Sequence, residues 1–228
     1  MSTLKDVKVV TVSVDYHAEL RLVLKANLEI FKSVYLVVTS PGDKVTQSMC
    51  SEFEVPVYVT DSFYAGGAVF NKWKALEEGL DQIQRSGWIA IIDSDIVFPF
   101  GADINLERGN LYTPERKILL NFENGVPSVD SWSSLPGVGH YEGFPGYVQI
   151  FHADDAPKET PWHRVDLGHA GCADTWFEEK WEKEKHIHPD FNVVHLGEPF
   201  KNWVGRRLSA ADREVYLRRA YKGKKIFL

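Results

Sequence analysis

The chain has little of what secreted and membrane proteins depend on. Only two cysteines, Cys50 and Cys172, occur in 228 residues. That is too few for a disulfide framework, and the pattern fits a reducing compartment. Residues 1–6 show no signal-peptide pattern, and no apolar run approaches the length of a membrane span. A cytoplasmic protein without stable membrane insertion is therefore expected. There are no internal repeats and no low-complexity segments. There is also no phosphate-loop lysine motif, no Gly-x-Gly-x-x-Gly fingerprint, no Cys-x-x-Cys pair and no nucleophilic-serine elbow. Their absence removes several reaction classes.

What is present is enough apolar sequence to bury a sizeable core. Hydrophobic residues make up 44% and charged residues 25% of the chain, as expected of one globular domain or a domain with a small lobe. Aromatics reach 13%, with seven Trp, so rings either fill the core or line a pocket for a planar or sugar ligand. Charge is uneven. From residue 201 onward nine Lys or Arg face two acids, a local charge of +7, which leaves −13 on the first 200 residues of a chain with net charge −6. Such a basic tail is either a solvated helix or a surface for phosphates, nucleic acid or an anionic membrane.

The first 97 residues alternate between strand and helix patterns. Strands are predicted at 7–14, 34–38, 55–59 and from Trp88 to the aspartates. Helices are predicted at 18–31, on the spacing of Leu20, Val23, Leu24, Leu28 and Phe31, and at 67–85, with Phe70, Trp73, Leu76, Leu80 and Ile83 on one face. Alternation of this kind predicts an α/β fold with a mostly parallel sheet flanked by helices. Ligands of such sheets bind beyond the carboxyl ends of the strands. The second half is less regular. Strands are predicted at 117–122, 147–151 and 192–195, helices at 173–185 and 209–221, and a long loop at 125–146.

The most informative run is Ile89-Ala90-Ile91-Ile92-Asp93-Ser94-Asp95-Ile96-Val97. An apolar strand drives into two carboxylates one residue apart. Two unpaired carboxylates beside a core cost several kcal/mol unless something positive neutralises them. Oxygen-ligated magnesium or manganese is the simplest candidate. Position in the predicted fold adds further residues. Asp15 and Tyr16, just after the first strand, would face a nucleotide, with Tyr16 stacking on its base. Asn71 and Lys72 open the long helix, where backbone donors and a lysine favour phosphate.

With its apolar approach, Asp93-Ser94-Asp95 resembles the aspartate-any-aspartate motif of the GT-A class of nucleotide-sugar glycosyltransferases. The resemblance implies a Rossmann-like GT-A fold and a divalent metal, Mn2+ or Mg2+, held by Asp93 and Asp95 on the diphosphate of the sugar donor, a UDP-linked sugar above all. A second run, His195-Leu196-Gly197-Glu198-Pro199-Phe200-Lys201-Asn202-Trp203, is similar to the late motif of glycogenin-like and lipopolysaccharide-galactosyltransferase-like enzymes. Gly197 stands one residue closer to the histidine than in that pattern, and Asn202 replaces its proline. The likeness implies His195 as a third metal ligand and Lys201 and Trp203 on the donor, with Arg206 close enough to meet phosphate.

In inverting members of the class an acidic residue at the start of a late helix deprotonates the acceptor hydroxyl. Asp174 matches it, although an aspartate there also serves as a plain helix cap; Asp154 and Asp155 are weaker rivals. Gln149 and Trp132 are placed on the acceptor and sugar side. His186 and His188 read as surface residues. The implied organisation is one domain over 1–228: a nucleotide-sugar half at 1–99, an acceptor and metal-completing half at 100–208, and a basic C-terminal helix at 209–228. The acceptor that such an enzyme would take is a saccharide, a small metabolite or a hydroxymethylated pyrimidine in DNA, the last needing its base exposed from the stack. A nucleotidyltransferase and a non-catalytic sugar-nucleotide-binding module are the rivals. Oligomeric state and stereochemistry stay open.

Overall fold

A computed structural model describes residues 2–137, 146–171, 173–198 and 205–206. The strands in chain order are β1 (Lys8–Val12), β2 (Tyr35–Thr39), β3 (Val57–Val59), β4 (Trp88–Ile92), β5 (Ile96–Val97), β6 (Leu111–Tyr112), β7 (Glu115–Leu119), β8 (Val148–His152), β9 (His186–Ile187) and β10 (Asn192–Leu196). The helices are α1 (His17–Asn27), α2 (Lys44–Glu52), α3 (Lys72–Gln82) and α4 (Ala173–Glu178). Seven strands form one sheet in the order β3-β2-β1-β4-β8-β6-β9, and β5-β10-β7 form a second. The pairs β1–β2, β2–β3 and β1–β4 are parallel, whereas β8 runs antiparallel to β4 and β6.

The parallel half follows from burial on both faces. Trp88, Ala90 and Ile92 of β4 enter one core cluster, and Ile89 and Ile91 enter the other. A strand covered on both sides reads as an unbroken apolar run, as this one does. Helix α3 lies tightly against the sheet. A Cβ built on Gly79 would stand 2.5 Å from Val38 Cγ2, so only glycine allows this approach.

Several boundaries differ from expectation. Helix α3 starts at Lys72 rather than 67, because Asn71 caps it by accepting the Lys74 N–H at 3.0 Å, while Gly66 and Gly67 upstream have positive φ. Helix α1 ends at Asn27 and α4 at Glu178, both earlier than predicted. Helix α2 was not predicted; Asp43 caps it through the Thr46 N–H at 3.0 Å. Part of the 125–146 loop winds into a 3-10 turn at Val129–Ser134. The predicted helix at 209–221 lies outside the described residues.

Beyond β4 the chain turns at Asp93–Asp95 and enters β5. Strand β10 pairs antiparallel with β5, which sets His195 opposite Ile96. The Leu196 N–H donates to the Asp95 carbonyl at 2.8 Å. This register carries residues a hundred positions apart to one strand end.

Candidate active site

A cleft opens at the carboxyl ends of β1 and β4. Tyr16, Lys72, Asp93, Ser94, Asp95, Asp174 and His195 line it, together with Val12, Val14, Phe70 and Trp73. Residues from both halves of the chain thus meet where parallel sheets place their ligands.

The two aspartates differ in environment. Asp93 is partly exposed, and its Oδ1 forms an ion pair with Lys72 Nζ. Asp95 is 7% exposed, and its Oδ1 is buried with no hydrogen-bond partner. Burial raises the Asp95 pKa; the charge of His195 opposes this and that of Asp93 adds to it. The nearest ring nitrogen, His195 Nε2, stands 3.6 Å from Asp95 Oδ2, too far for a hydrogen bond. His195 Nδ1 lies 3.3 Å from the Gly197 carbonyl, which can only accept. Nδ1 is therefore the donor of that contact, which leaves Nε2 as the ring nitrogen turned toward Asp95. A buried carboxylate oxygen without a hydrogen-bond partner beside an imidazole nitrogen is a donor set that suits a divalent cation. Among the described residues no group of three His, Cys, Asp or Glu gathers closely enough to hold a metal.

Tyr16 lines the cleft, but the Arg206 guanidinium lies over its ring at 3.6 Å. One ring face is therefore covered by the chain itself. Burial, then the Asp95 charge, push the Tyr16 hydroxyl pKa well up, so it remains a donor. Arg206 is paired with Glu19 and donates to the Asp15 carbonyl at 3.0 Å, which engages the charge assigned to phosphate. Asp15 itself has φ of 63°, and its N–H donates to Asp43 Oδ2 at 2.8 Å. It is not among the described residues lining the cleft.

Asp174 stands in the first turn of α4, and its Oδ2 accepts the Gly146 N–H at 3.0 Å. A Cβ on Gly146 would lie 2.1 Å from the Asp174 Cβ, so the contact requires glycine. Gln149 is fully buried behind this carboxylate, donating through Nε2 to the Asp174 carbonyl at 3.3 Å. It supports α4 rather than facing the cleft.

Two other expected residues serve the framework. Asn71 is buried, capping α3 with its oxygen and donating its amide to the Val165 carbonyl at 2.7 Å. Trp132 packs against Val23, Val97, Val194 and Leu196 and donates to the Pro127 carbonyl at 3.0 Å, away from the cleft. Lys201 and Trp203 lie outside the described residues.

Other cleft residues escaped sequence reasoning. Arg116 lies 4.5 Å over the Tyr147 ring, and both line the cleft with Glu198. Burial, moderated by Arg116, pushes the Tyr147 hydroxyl up to about 12. Trp73 was read only as helix core; its indole also borders the cleft and donates to the Ala170 carbonyl at 2.7 Å. No local signal marks Arg116, because a distant strand pairing brings it here.

No protein-family model and no curated protein sequence matches the chain. Among solved structures it is similar to the glycosyltransferase GlyE of Streptococcus pneumoniae TIGR4, at 12% identity and a TM-score of 0.50, over 94% of this chain and 60% of that one. The chain thus spans less than two thirds of GlyE. A mycobacterial protein (11% identity, TM-score 0.49, 95% of this chain and 72% of that one) is also similar. So is a glycosyltransferase involved in glycosylation of the PBCV-1 major capsid (11%, 0.34, 92% and 99%). The fold comparison rests on the first. In strand order, flanking helices and this likeness, the chain carries a glycosyltransferase-like α/β fold of the GT-A type.

Proposed function

We propose that the cleft is the active site of a metal-dependent glycosyltransferase that moves a sugar from a nucleoside-diphosphate donor, UDP-linked above all, to a hydroxyl acceptor. The observation that carries this reading is the buried Asp95 Oδ1, without a hydrogen-bond partner, beside the His195 imidazole at the end of β4. Asp95 and His195 would hold Mn2+ or Mg2+, with the remaining positions left to diphosphate oxygens and water, as suits cations that keep few protein ligands. Bound there, the cation neutralises charge on the departing diphosphate.

The chain's own groups supply the rest. Lys72 offers a flexible ammonium to a phosphate oxygen. Tyr16, a donor hydroxyl near both aspartates, helps orient the ligand. Asp174 accepts the acceptor's proton as that hydroxyl oxygen attacks the anomeric carbon and the bond to the diphosphate breaks. The Gly146 N–H and Gln149 hold Asp174 and its helix in place for this task. A saccharide or a hydroxymethylated pyrimidine in DNA would provide the hydroxyl. Of the basic residues expected to favour DNA, Arg206 is engaged by Glu19.

The test is incubation with manganese and a panel of nucleotide sugars, reading free nucleoside diphosphate. Slow release from at least one donor is expected, and its loss in Asp95→Asn and His195→Ala. No release from any donor, or undiminished release by Asp95→Asn, contradicts the assignment. Mass spectrometry of nucleosides from hydroxymethylated DNA incubated with each donor separates the acceptors: an added sugar mass supports DNA, and none with any donor rejects it.

A further inference from the structure

Of the two aspartates at the end of β4, one already has a cation from the chain. Lys72 is the first residue of α3, directly after its Asn71 cap. Its Nζ pairs with Asp93 Oδ1 and lies 4.6 Å over the Trp73 ring. The two side chains are 12% and 31% exposed, so the pair is screened less than a surface salt bridge. Asp95 Oδ1 has no such partner.

We propose that Lys72 is an exchangeable counter-ion of Asp93: its ammonium occupies the carboxylate until the diphosphate of a nucleotide ligand draws it off, so that a divalent cation and a nucleoside diphosphate bind cooperatively. The inference rests on the reading of the cleft as a metal and nucleotide-sugar site. An ammonium in contact with Asp93 repels a divalent cation at Asp95 and blocks one oxygen that such a cation would use. A diphosphate reverses both effects. It offers the ammonium a more highly charged partner, and the four-carbon stem lets Nζ change partners with little rearrangement of α3. Asp93 is then released to a cation or its water shell. Coupling of this kind is reciprocal, so the cation strengthens diphosphate binding by the same factor.

The test measures Mn2+ affinity by the electron paramagnetic resonance signal of free manganese, with and without uridine diphosphate. The manganese that uridine diphosphate binds in solution is subtracted. The wild type, Lys72→Gln, Lys72→Arg and the double variant Lys72→Gln/Asp93→Asn are compared. Wild-type affinity should be weak alone and rise at least about fivefold with uridine diphosphate. Lys72→Gln should bind manganese alone about fivefold more tightly than wild type and show a smaller response to uridine diphosphate. Lys72→Arg, which keeps the charge, should resemble wild type. Adding Asp93→Asn to Lys72→Gln should erase the gain. A wild type that binds manganese and a Lys72→Gln variant that binds it no more tightly overturn the counter-ion role and leave the site reading standing. A wild type that takes up no manganese under either condition overturns the site reading itself.

Discussion

Asp95 is the residue on which the site turns. Its burial raises the pKa, so the folded protein takes up a proton more readily there than the unfolded chain does. By linkage, ionised Asp95 lowers stability once pH rises above the ordinary carboxylate value of 3.8 toward the raised one. Asp95→Asn removes the buried charge and keeps the shape. It should therefore raise stability by about 1 kcal/mol at pH 7 in urea unfolding, while losing manganese uptake. A destabilised Asp95→Asn would mean that the carboxylate is already compensated within the fold.

Asp174 is tested by its own substitution. Asp174→Asn should lower transfer to acceptor by about 10²–10⁴-fold, the range for a lost general base, and leave manganese affinity unchanged. Unaltered transfer would remove it from the chemistry. Of the residues that sequence reasoning put forward, Tyr16, Lys72, Asp93, Asp95, Asp174 and His195 line one cleft. Asn71, Gln149 and Trp132 do not line it. A polar or aromatic type near a site does not reveal which way it points, and each of these points into the framework.

At the scale of elements, the segment between β8 and α4 is held along α3 by a buried carboxylate. Glu77 accepts from the backbone N–H groups of Trp162 and His163 at 3.0 and 2.9 Å, from His163 Nδ1 at 2.7 Å, and pairs with Arg85 at 2.8 Å. Further along, Asn71 and Trp73 bind the carbonyls of Val165 and Ala170. This strap delivers α4, and so Asp174, to the cleft. His163 is fully buried between the rings of Trp73 and Phe177, at 4.7 and 4.5 Å. Burial lowers its pKa, and Glu77 only partly offsets this, so the imidazole is neutral and donates through Nδ1. Burial would raise the Glu77 pKa, but the His163 hydrogen bond and nearby positive charge hold it below the ordinary value.

Both shifts have the same sign for stability. A histidine with a lowered folded pKa refuses a proton that the unfolded chain binds below about 6.5. Stability present at pH 7 is thus lost as pH falls through that value, and the Glu77 contribution follows at lower pH. The thermal midpoint should drop between pH 7 and 5.5, with a shallower slope in His163→Phe; an unchanged slope would place the pH sensitivity elsewhere. Glu77→Ala, which strands Arg85 and the strap, should cost about 3–5 kcal/mol in urea unfolding. Gly79→Ala should cost about 1–3 kcal/mol by forcing α3 off Val38, and a neutral result would show that the helix can shift.

The first four strands were legible because apolar runs and helical spacing are local signals. Helix α2 was missed because only Thr46, Met49 and Cys50 are buried on it, a weak stripe. Strands β6 and β9, two residues each, carry almost no periodicity and exist through their partners β8 and β6.

At the scale of the whole molecule, the cleft is made by the meeting of two sheets. The large sheet ends β4 at the aspartates, and the small sheet returns β10 beside β5 to set His195 next to Asp95. The spacing of the two motifs in sequence carries no information about this, since antiparallel pairing with β5 closes the distance. The most direct measurement is an anomalous difference map at the manganese edge from crystals grown with manganese and uridine diphosphate. The account predicts a peak in the cleft beside Asp95 and His195, with the diphosphate next to it. A peak that touches neither residue, or no peak with the diphosphate bound elsewhere, would contradict it.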